Sequence, residues 1–353
     1  MMKDSDFMRR ALELSRKGNP SPNPYVGAVI VKNGRIIGEG YHRRAGMPHA
    51  EVEALRKCAN PRGATLYVTL EPCSHHGRTP PCTDAILDAG ISKVVYGMRD
   101  PNPLVSGGRV LRRAGVEVVS GVLSGEVERL NEVFVKHVKT GMPFVTLKSG
   151  MTLDGKIATS SGESKWITSP ESRRMVQELR GGSDAILVGI NTVLMDDPSL
   201  TCRLRGWRDP IRVIMDSRLR IPLDAKVLKD DNVIIATSKR HGKKKEKLLE
   251  GKARVWVMGD DHVDFRKLMR RLGKEGVTSV LIEGGGEVNA SALKSGLVDR
   301  MLLFMAPTIL CGRETPAFGG EGAPSLSKAF RLDFTDFRRM GRDLMIEARP
   351  AKS

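Results

Sequence analysis

A chain of 353 residues, at roughly 100–200 residues per domain, is long enough for two domains and too long for a single small binding module. Apolar residues make up 40% and the 37 glycines add about a tenth more, an ordinary globular balance that excludes disorder and fibrous repeats. The 58 Lys and Arg against 41 Asp and Glu, net +17, invite a nucleic-acid reading, yet the excess is spread evenly, with 21 basic against 14 acidic residues over 1–143 and 37 against 27 beyond.

Taken in chain order, Phe7, Met8, Ala11 and Leu12 recur at helical spacing, with Asp4 and Ser5 as candidate N-caps and Gly18 as a stop. This opening segment, 1–18, lacks the apolar core of a signal peptide, and no stretch reaches the ~18 apolar residues of a membrane span. Five cysteines, Cys58, Cys73, Cys82, Cys202 and Cys311, are too few and odd in number for a disulfide framework. A reducing, cytoplasmic setting away from membranes is expected.

Apolar runs at 26–31 and 35–38 flank Asn33-Gly34, a strong hairpin signal. A helix over 50–59, a buried strand over 64–70 and a helix over 83–89 follow, then strands at 94–96 and 116–119 around a short helix near Val110. This alternation predicts a layered α/β/α domain. Gly141-Met142-Pro143 breaks the next helical stretch, so the boundary is set there, giving domains 1–143 and 144–353. The second domain repeats the α/β rhythm, with strands near 145–148, 185–189, 212–215, 233–237, 255–258 and 279–282. A helix over 171–180 has Ser169 as N-cap and Pro170 in its first turn. Residues 300–310 and 330–348 read as long strands. The basic run Lys239-Arg240-His241-Gly242-Lys243-Lys244-Lys245 is short enough to be a solvated face or loop.

His49-Ala50-Glu51 opens one helix, Pro72-Cys73 follows a strand, and Cys82 opens another helix. One imidazole and two thiolates suit Zn2+, and a catalytic zinc keeps three protein ligands with a fourth position for water. Both helix N-termini favour the thiolate forms. Glu51, two residues after His49, is placed for proton transfer between water and a leaving amine, not for ligation. Zinc deaminases follow H-x-E…P-C-x-x-C, whereas here eight residues separate the cysteines. A structural zinc completed by His75 or His76 is the alternative, but it leaves Glu51 unexplained. In the second domain, 279–286 is a strand running into Gly284-Gly285-Gly286 before a helix, a geometry that holds a diphosphate but also serves as a plain connection.

His49-Ala50-Glu51, with Pro72-Cys73-Ser74-His75-His76-Gly77-Arg78-Thr79-Pro80-Pro81-Cys82, resembles the bifunctional deaminase/reductase family of riboflavin biosynthesis. So do Pro22-Asn23-Pro24-Tyr25-Val26-Gly27-Ala28 and, in the second domain, Lys148-Ser149-Gly150-Met151-Thr152-Leu153-Asp154-Gly155-Lys156 and Asn191-Thr192-Val193-Leu194-Met195-Asp196-Asp197-Pro198. The resemblance implies a cytidine-deaminase-like α/β/α domain followed by a dihydrofolate-reductase-like α/β domain that uses NADPH. It assigns zinc to His49, Cys73 and Cys82, proton transfer to Glu51, and pyrimidine contacts to Asn23, His42, His76, Arg78 and Thr79. Cofactor contacts fall to Gly150, Trp166, Thr192, Asp196, Ser217 and the turn Gly285, Gly286, Glu287, Val288, Asn289, Ala290 and Ser291. Reductase substrate contacts fall to Ser164, Arg180, Leu200, Arg203 and Glu283; the guanidinium forks of Arg180 and Arg203 suit a sugar phosphate.

The expected activity is zinc-dependent deamination of 2,5-diamino-6-ribosylamino-4(3H)-pyrimidinone 5′-phosphate, then NADPH-dependent reduction of its ribosyl chain to ribityl. The expected partner is therefore a small phosphorylated pyrimidine rather than nucleic acid, in a homodimer or homotetramer. The competing reading is a tRNA-adenosine deaminase with an RNA-binding second domain, for which a C-x-x-C spacer and a basic, aromatic-bearing face are expected.

Overall fold

The computed structural model describes residues 2–75 and 80–351. The chain divides after Gly141 into two compact units. In the first, β1 (Gly27–Lys32), β2 (Arg35–Tyr41), β3 (Thr65–Leu70), β4 (Lys93–Met98) and β5 (Glu117–Ser120) form one sheet in the order β2-β1-β3-β4-β5. β1 runs antiparallel to β2 and β3, while β3, β4 and β5 are parallel.

Strand alternation sends Ala28, Ile30, Leu66, Val68, Val94 and Tyr96 to one face, where they meet Ala50, Ala54 and Ile86 of two helices. Val29, Val31, Tyr67 and Val95 point the other way and pack against Phe7, Met8 and Ala11 of the N-terminal helix, Asp4–Ser15. Helices on both faces make the three-layer α/β/α domain that the alternation predicts.

In the second unit, β6 (Phe144–Thr152), β7 (Ala185–Gly189), β8 (Ile211–Met215), β9 (Val233–Thr237), β10 (Arg254–Val257), β11 (Ser279–Ile282), β12 (Arg300–Ala306), β13 (Leu332–Met340) and β14 (Asp343–Pro350) share one sheet. Its order is β10-β9-β8-β7-β11-β6-β12-β14-β13. All pairings from β10 to β12 are parallel, and the β13–β14 hairpin joins antiparallel. The parallel strands are buried on both sides, which is why 185–189 and 233–236 carry no polar side chain.

Two expectations need correction. The strand expected over 300–310 ends at Ala306. The last segment is not one strand but a tight hairpin turning at Gly341, which sits at a φ of +61° that glycine tolerates best. No Asn-Gly or Asp-Gly pair announces this turn, so alternation across it reads as continuous. Among the described residues, no helix is long and apolar enough to cross a membrane.

Candidate active sites

In the first unit, three chain segments converge. His49 is the residue at which the helix Ala50–Arg56 begins, and Cys82 is the first residue of the helix Cys82–Asp88. Cys73 lies three residues past the end of β3. The His49 Nδ1 is 3.2 Å from the Cys82 Sγ and 3.6 Å from the Cys73 Sγ, while the Cys82 N–H donates to the Cys73 Sγ at 3.2 Å. All three ligand atoms lie within 4.8 Å of one another. With metal–ligand bonds of about 2.0–2.3 Å, a tetrahedral zinc fits such a donor set.

The electrostatics agree with that chemistry. Cys73 is held low, to about 4, chiefly by hydrogen bonding with Cys82 and then by His49. Cys82 is pushed up by its bond to Cys73 and by burial. A divalent cation takes both as thiolates, because metal binding releases their protons. Glu51 is only 4% exposed, and burial raises its carboxyl above the usual range, the condition under which a carboxylate takes up a proton readily.

A cavity of about 460 Å³ opens beside this group, lined by Asn23, His42, His49, Glu51 and Cys73 among others. Asn23 Nδ2 lies 3.0 Å from the His42 Nε2, whose ring holds the Pro48 carbonyl at 3.1 Å through Nδ1. Burial lowers the His42 pKa, so the neutral ring is favoured, and Asn23 is fixed at the cavity wall. His76, Arg78 and Thr79 lie outside the described residues.

Sequence reasoning missed Glu71, Asp100 and Asn102, which line the same cavity. Glu71 accepts from the Gly108 N–H at 2.9 Å and the Asp100 N–H at 3.4 Å, tying the loop after β4 to the Pro72-Cys73 segment. Gly107 makes that approach feasible, since a Cβ there would collide with the Pro72 carbonyl. Burial, then the Glu71 charge, raises Asp100 to about 6. The available signal was the proline-flanked turn Asp100-Pro101-Asn102-Pro103, which echoes Pro22-Asn23-Pro24.

Among the described residues of the second unit, a cavity of about 590 Å³ and another of about 520 Å³ share Ile157 and Ser164 in their walls. The first collects Thr192, Asp196, Ser217, Gly285, Gly286, Glu287, Val288 and Ser291. Here β11 ends, and Gly285 caps the helix Gly286–Lys294 without a side-chain bond, leaving first-turn N–H groups for an anion. A Cβ at Gly286 would strike the Pro316 carbonyl, so only glycine fits that crossing. This donor set and the volume of the cavity suit a dinucleotide. Asn289 and Ala290 belong to the same turn but sit behind it; Asn289 donates to the Ala317 carbonyl at 2.9 Å.

The second cavity holds Gly150, Trp166, Arg180, Arg203 and Glu283, with Lys148, Thr168 and Arg173 beside them. The Glu283 side chain is 6% exposed and accepts from the Arg180 Nε and Nη2, at 2.7 and 3.0 Å, and from the Lys148 Nζ at 2.8 Å. Burial alone would raise its pKa, but Lys148 and Arg180 outweigh burial and hold it near 2. Arg180 also donates to the Thr201 carbonyl at 3.2 Å, so its fork is spent inside the protein. Leu200 is buried at 3% and lines none of these cavities. Gly150 and Trp166, expected on the cofactor, stand in the wall of the second cavity.

Comparison with known proteins fits both halves. Residues 143–346 match the RibD C-terminal domain, and residues 1–98 match the cytidine and deoxycytidylate deaminase zinc-binding region. The riboflavin biosynthesis protein RibD of Actinobacillus pleuropneumoniae is 44% identical, with 98% of this chain and 95% of that protein covered. The chain belongs to the RibD family.

The Escherichia coli RibD is 42% identical over 98% of this chain and 99% of its own. Acinetobacter baumannii RibD has the same fold at a TM-score of 0.90, 39% identity and 99% coverage of both chains. A Thermotoga maritima diaminohydroxyphosphoribosylaminopyrimidine deaminase/5-amino-6-(5-phosphoribosylamino)uracil reductase matches at 0.86, again with 39% identity and 99% of each chain. The RibD relationship makes this chain a bifunctional deaminase and reductase of riboflavin biosynthesis, with a zinc-binding deaminase domain and an NADPH-dependent reductase domain. The tRNA-deaminase alternative falls, because the second half is a reductase domain.

Proposed function

We propose that residues 1–143 deaminate 2,5-diamino-6-ribosylamino-4(3H)-pyrimidinone 5′-phosphate and that residues 144–353 reduce the ribosyl chain of the product to ribityl. The observation that carries the first half is the His49, Cys73 and Cys82 cluster with the buried Glu51 beside it, where Glu51, His49 and Cys73 line one cavity. When bound by that triad, zinc supplies Lewis-acid activation of water. Glu51 takes the proton of the attacking water and returns it to the departing amino group, so that ammonia leaves and a carbonyl remains. Asn23, held by His42, orients the pyrimidine edge. His76, Arg78 and Thr79 are assigned to the same substrate.

For the second half, the two cavities that meet at Ile157 and Ser164 support a cofactor on one side and a substrate on the other. NADPH supplies the hydride when bound. Glu283 fixes the ribose hydroxyls, while Lys148 holds a proton beside it, next to the carbon that accepts the hydride once the ribosylamine opens to an imine. With the Arg180 fork taken by Glu283, the phosphate falls to Arg203, which lines the cavity and is exposed.

The five cysteines are all free, which fits a reducing cytoplasm. A homodimer or homotetramer is supported by the edge hairpin, where Phe334 and Phe337 are 58% and 56% exposed and meet edge to face with ring centres 5.4 Å apart. The even charge spread fits a phosphorylated small molecule, not nucleic acid. Supplying the pyrimidine with and without NADPH, and weighing the products, tests the sequence of reactions. Loss of one amino group without NADPH, followed by gain of two hydrogens with it, is the expected result; reduction without prior deamination overturns the order.

A further inference from the structure

The loop that carries Asn23 has few means of holding itself. Pro22 and Pro24 flank Asn23, and neither has an N–H. The Asn23 N–H donates to the Pro20 carbonyl at 2.9 Å and is the loop's one backbone donor between Ser21 and Tyr25. His42 holds the Asn23 side chain from one end. The backbone two residues further on is held by a side chain from a distant part of the same domain.

That side chain is Asn131. Its Oδ1 accepts from the Tyr25 N–H at 2.8 Å, and its Nδ2 donates to the Tyr25 carbonyl at 3.1 Å and to the Val127 carbonyl at 3.3 Å. Asn131 is 1% exposed, so these bonds are made out of reach of water, with a partner 106 positions away. It stands between the helices Ser124–Leu130 and Glu132–Thr140, at the N-cap of the second. An asparagine there ordinarily accepts from the first-turn N–H groups of its own helix. Asn131 makes no such bond and spends its amide on Tyr25 instead. Only a carboxamide donates and accepts at once in this way; a carboxylate loses the donor and an alkyl group loses both.

The helix that follows is itself part of the site. Phe134 and Val138, three and seven residues after Asn131 and so on the same helical face, line the deaminase cavity. No residue of the helix Glu132–Thr140 is fully buried, so core packing alone sets its rotation loosely. Asn131 therefore ties together two parts of one cavity wall, this helix and the loop whose Pro22, Asn23 and Pro24 line it. Its hydrogen bonds reach none of His49, Glu51, Cys73 and Cys82. We propose that Asn131 is a positioning residue of the deaminase: it sets Asn23 against the pyrimidine and governs substrate binding without touching substrate or metal. The inference rests on Asn23 as the contact to the base.

Steady-state deamination of the ribosylaminopyrimidine phosphate by the full-length, zinc-loaded protein tests this, with KM and kcat read separately. Asn131→Ala removes both bonds to Tyr25 and is expected to raise KM roughly tenfold, the worth of a net hydrogen bond or two. The kcat, the zinc content and the reduction of deaminated substrate are expected to be retained. Asn131→Asp keeps the size and the acceptor but not the donor; it is expected to raise KM in the same direction and carries the test if the alanine variant does not fold. Asn23→Ala is expected to raise KM at least as far. Adding either Asn131 substitution to it is expected to change KM by less than about twofold, because a residue that acts through Asn23 then has nothing left to place. Multiplied losses in the double variant overturn the inference and leave Asn23 standing. So does an Asn131 variant with a lowered melting temperature at unchanged KM, or one that loses kcat alone. An Asn23→Ala protein with unchanged KM removes the base contact, and the inference falls with it.

Discussion

The deaminase half gathers its reactive groups into a short stretch of chain, His49 to Cys82, whereas the reductase half draws on Lys148, Arg180, Arg203 and Glu283, spread over more than a hundred positions. The first arrangement is a set of scarce residue types placed by local events, two helix starts and one strand end. The second is a set of common residue types placed by the order of strands in a sheet. Arg180 and Glu283 meet because β7, β11 and β6 are neighbours, which no local spacing announces. Chemistry written locally can be removed with one substitution, while chemistry written by topology is shared among residues that also hold the fold.

The largest expected effect tests that contrast in the deaminase half. Glu51→Gln keeps the shape of the side chain and removes its proton transfer, so ammonia release is expected to fall by about 10²–10⁴-fold with zinc retained and NADPH-dependent reduction intact. Cys82→Ser serves as its counterpart: zinc content and ammonia release are both lost. Should either substitution also abolish reduction of the deaminated substrate, the two halves are not separately written. Metal analysis alongside both assays distinguishes a lost ligand from a lost proton carrier.

A substitution in the reductase half is expected to behave differently, because Glu283 is both substrate contact and structural anion. Glu283→Gln leaves Lys148 and Arg180 buried without their counter-charge, at a cost of about 3 kcal/mol. Reduction and thermal stability are expected to fall together, with ammonia release preserved below the new melting temperature. The pH dependence has a definite sign. Glu283 sits near 2 in the folded protein against an ordinary 4.5, so its stabilisation is complete above about pH 4.5 and drains away as pH falls towards 2. In Glu283→Gln this part of the acid sensitivity is expected to vanish; acid titrations of the two proteins that run parallel would remove the pair from the stability account.

What could be read before the fold was known follows the same division. The layered first domain, the zinc triad and Glu51 were legible, since alternating apolar runs and rare ligand types carry their meaning within a few residues. Asp100 and Asn102 were not, because a proline-flanked turn gives no sign of which cavity it will face. In the second half the glycine turn was visible, but Asn289 and Ala290 face the protein, as the 3.6-residue helical period turns part of any contiguous stretch away from the cavity. The missed turn at Gly341 is of the same kind: alternation is preserved through a tight hairpin, and only the backbone angle betrays it.

The smallest effect sharpens the comparison most, because it concerns a residue that touches no expected ligand. Arg173 lies with its guanidinium 4.6 Å from the centre of the Trp166 ring and donates to the Thr168 carbonyl at 2.6 Å, pinning the loop that lines the substrate cavity. Trp166 is 63% exposed, so the stacking contributes only about 0.5–1 kcal/mol. Arg173→Ala is therefore expected to raise the reductase KM for the deaminated pyrimidine a few-fold, roughly what that energy allows, with kcat retained and ammonia release untouched. Arg173→Lys keeps the charge but not the flat stacking surface, and is expected to recover little of the loss. Full recovery by lysine would mean that Arg173 acts as a charge near the substrate phosphate instead of a clamp on the Trp166 loop. A fall in kcat at unchanged KM would place it closer to the reacting carbon than its contacts with Trp166 and Thr168 imply.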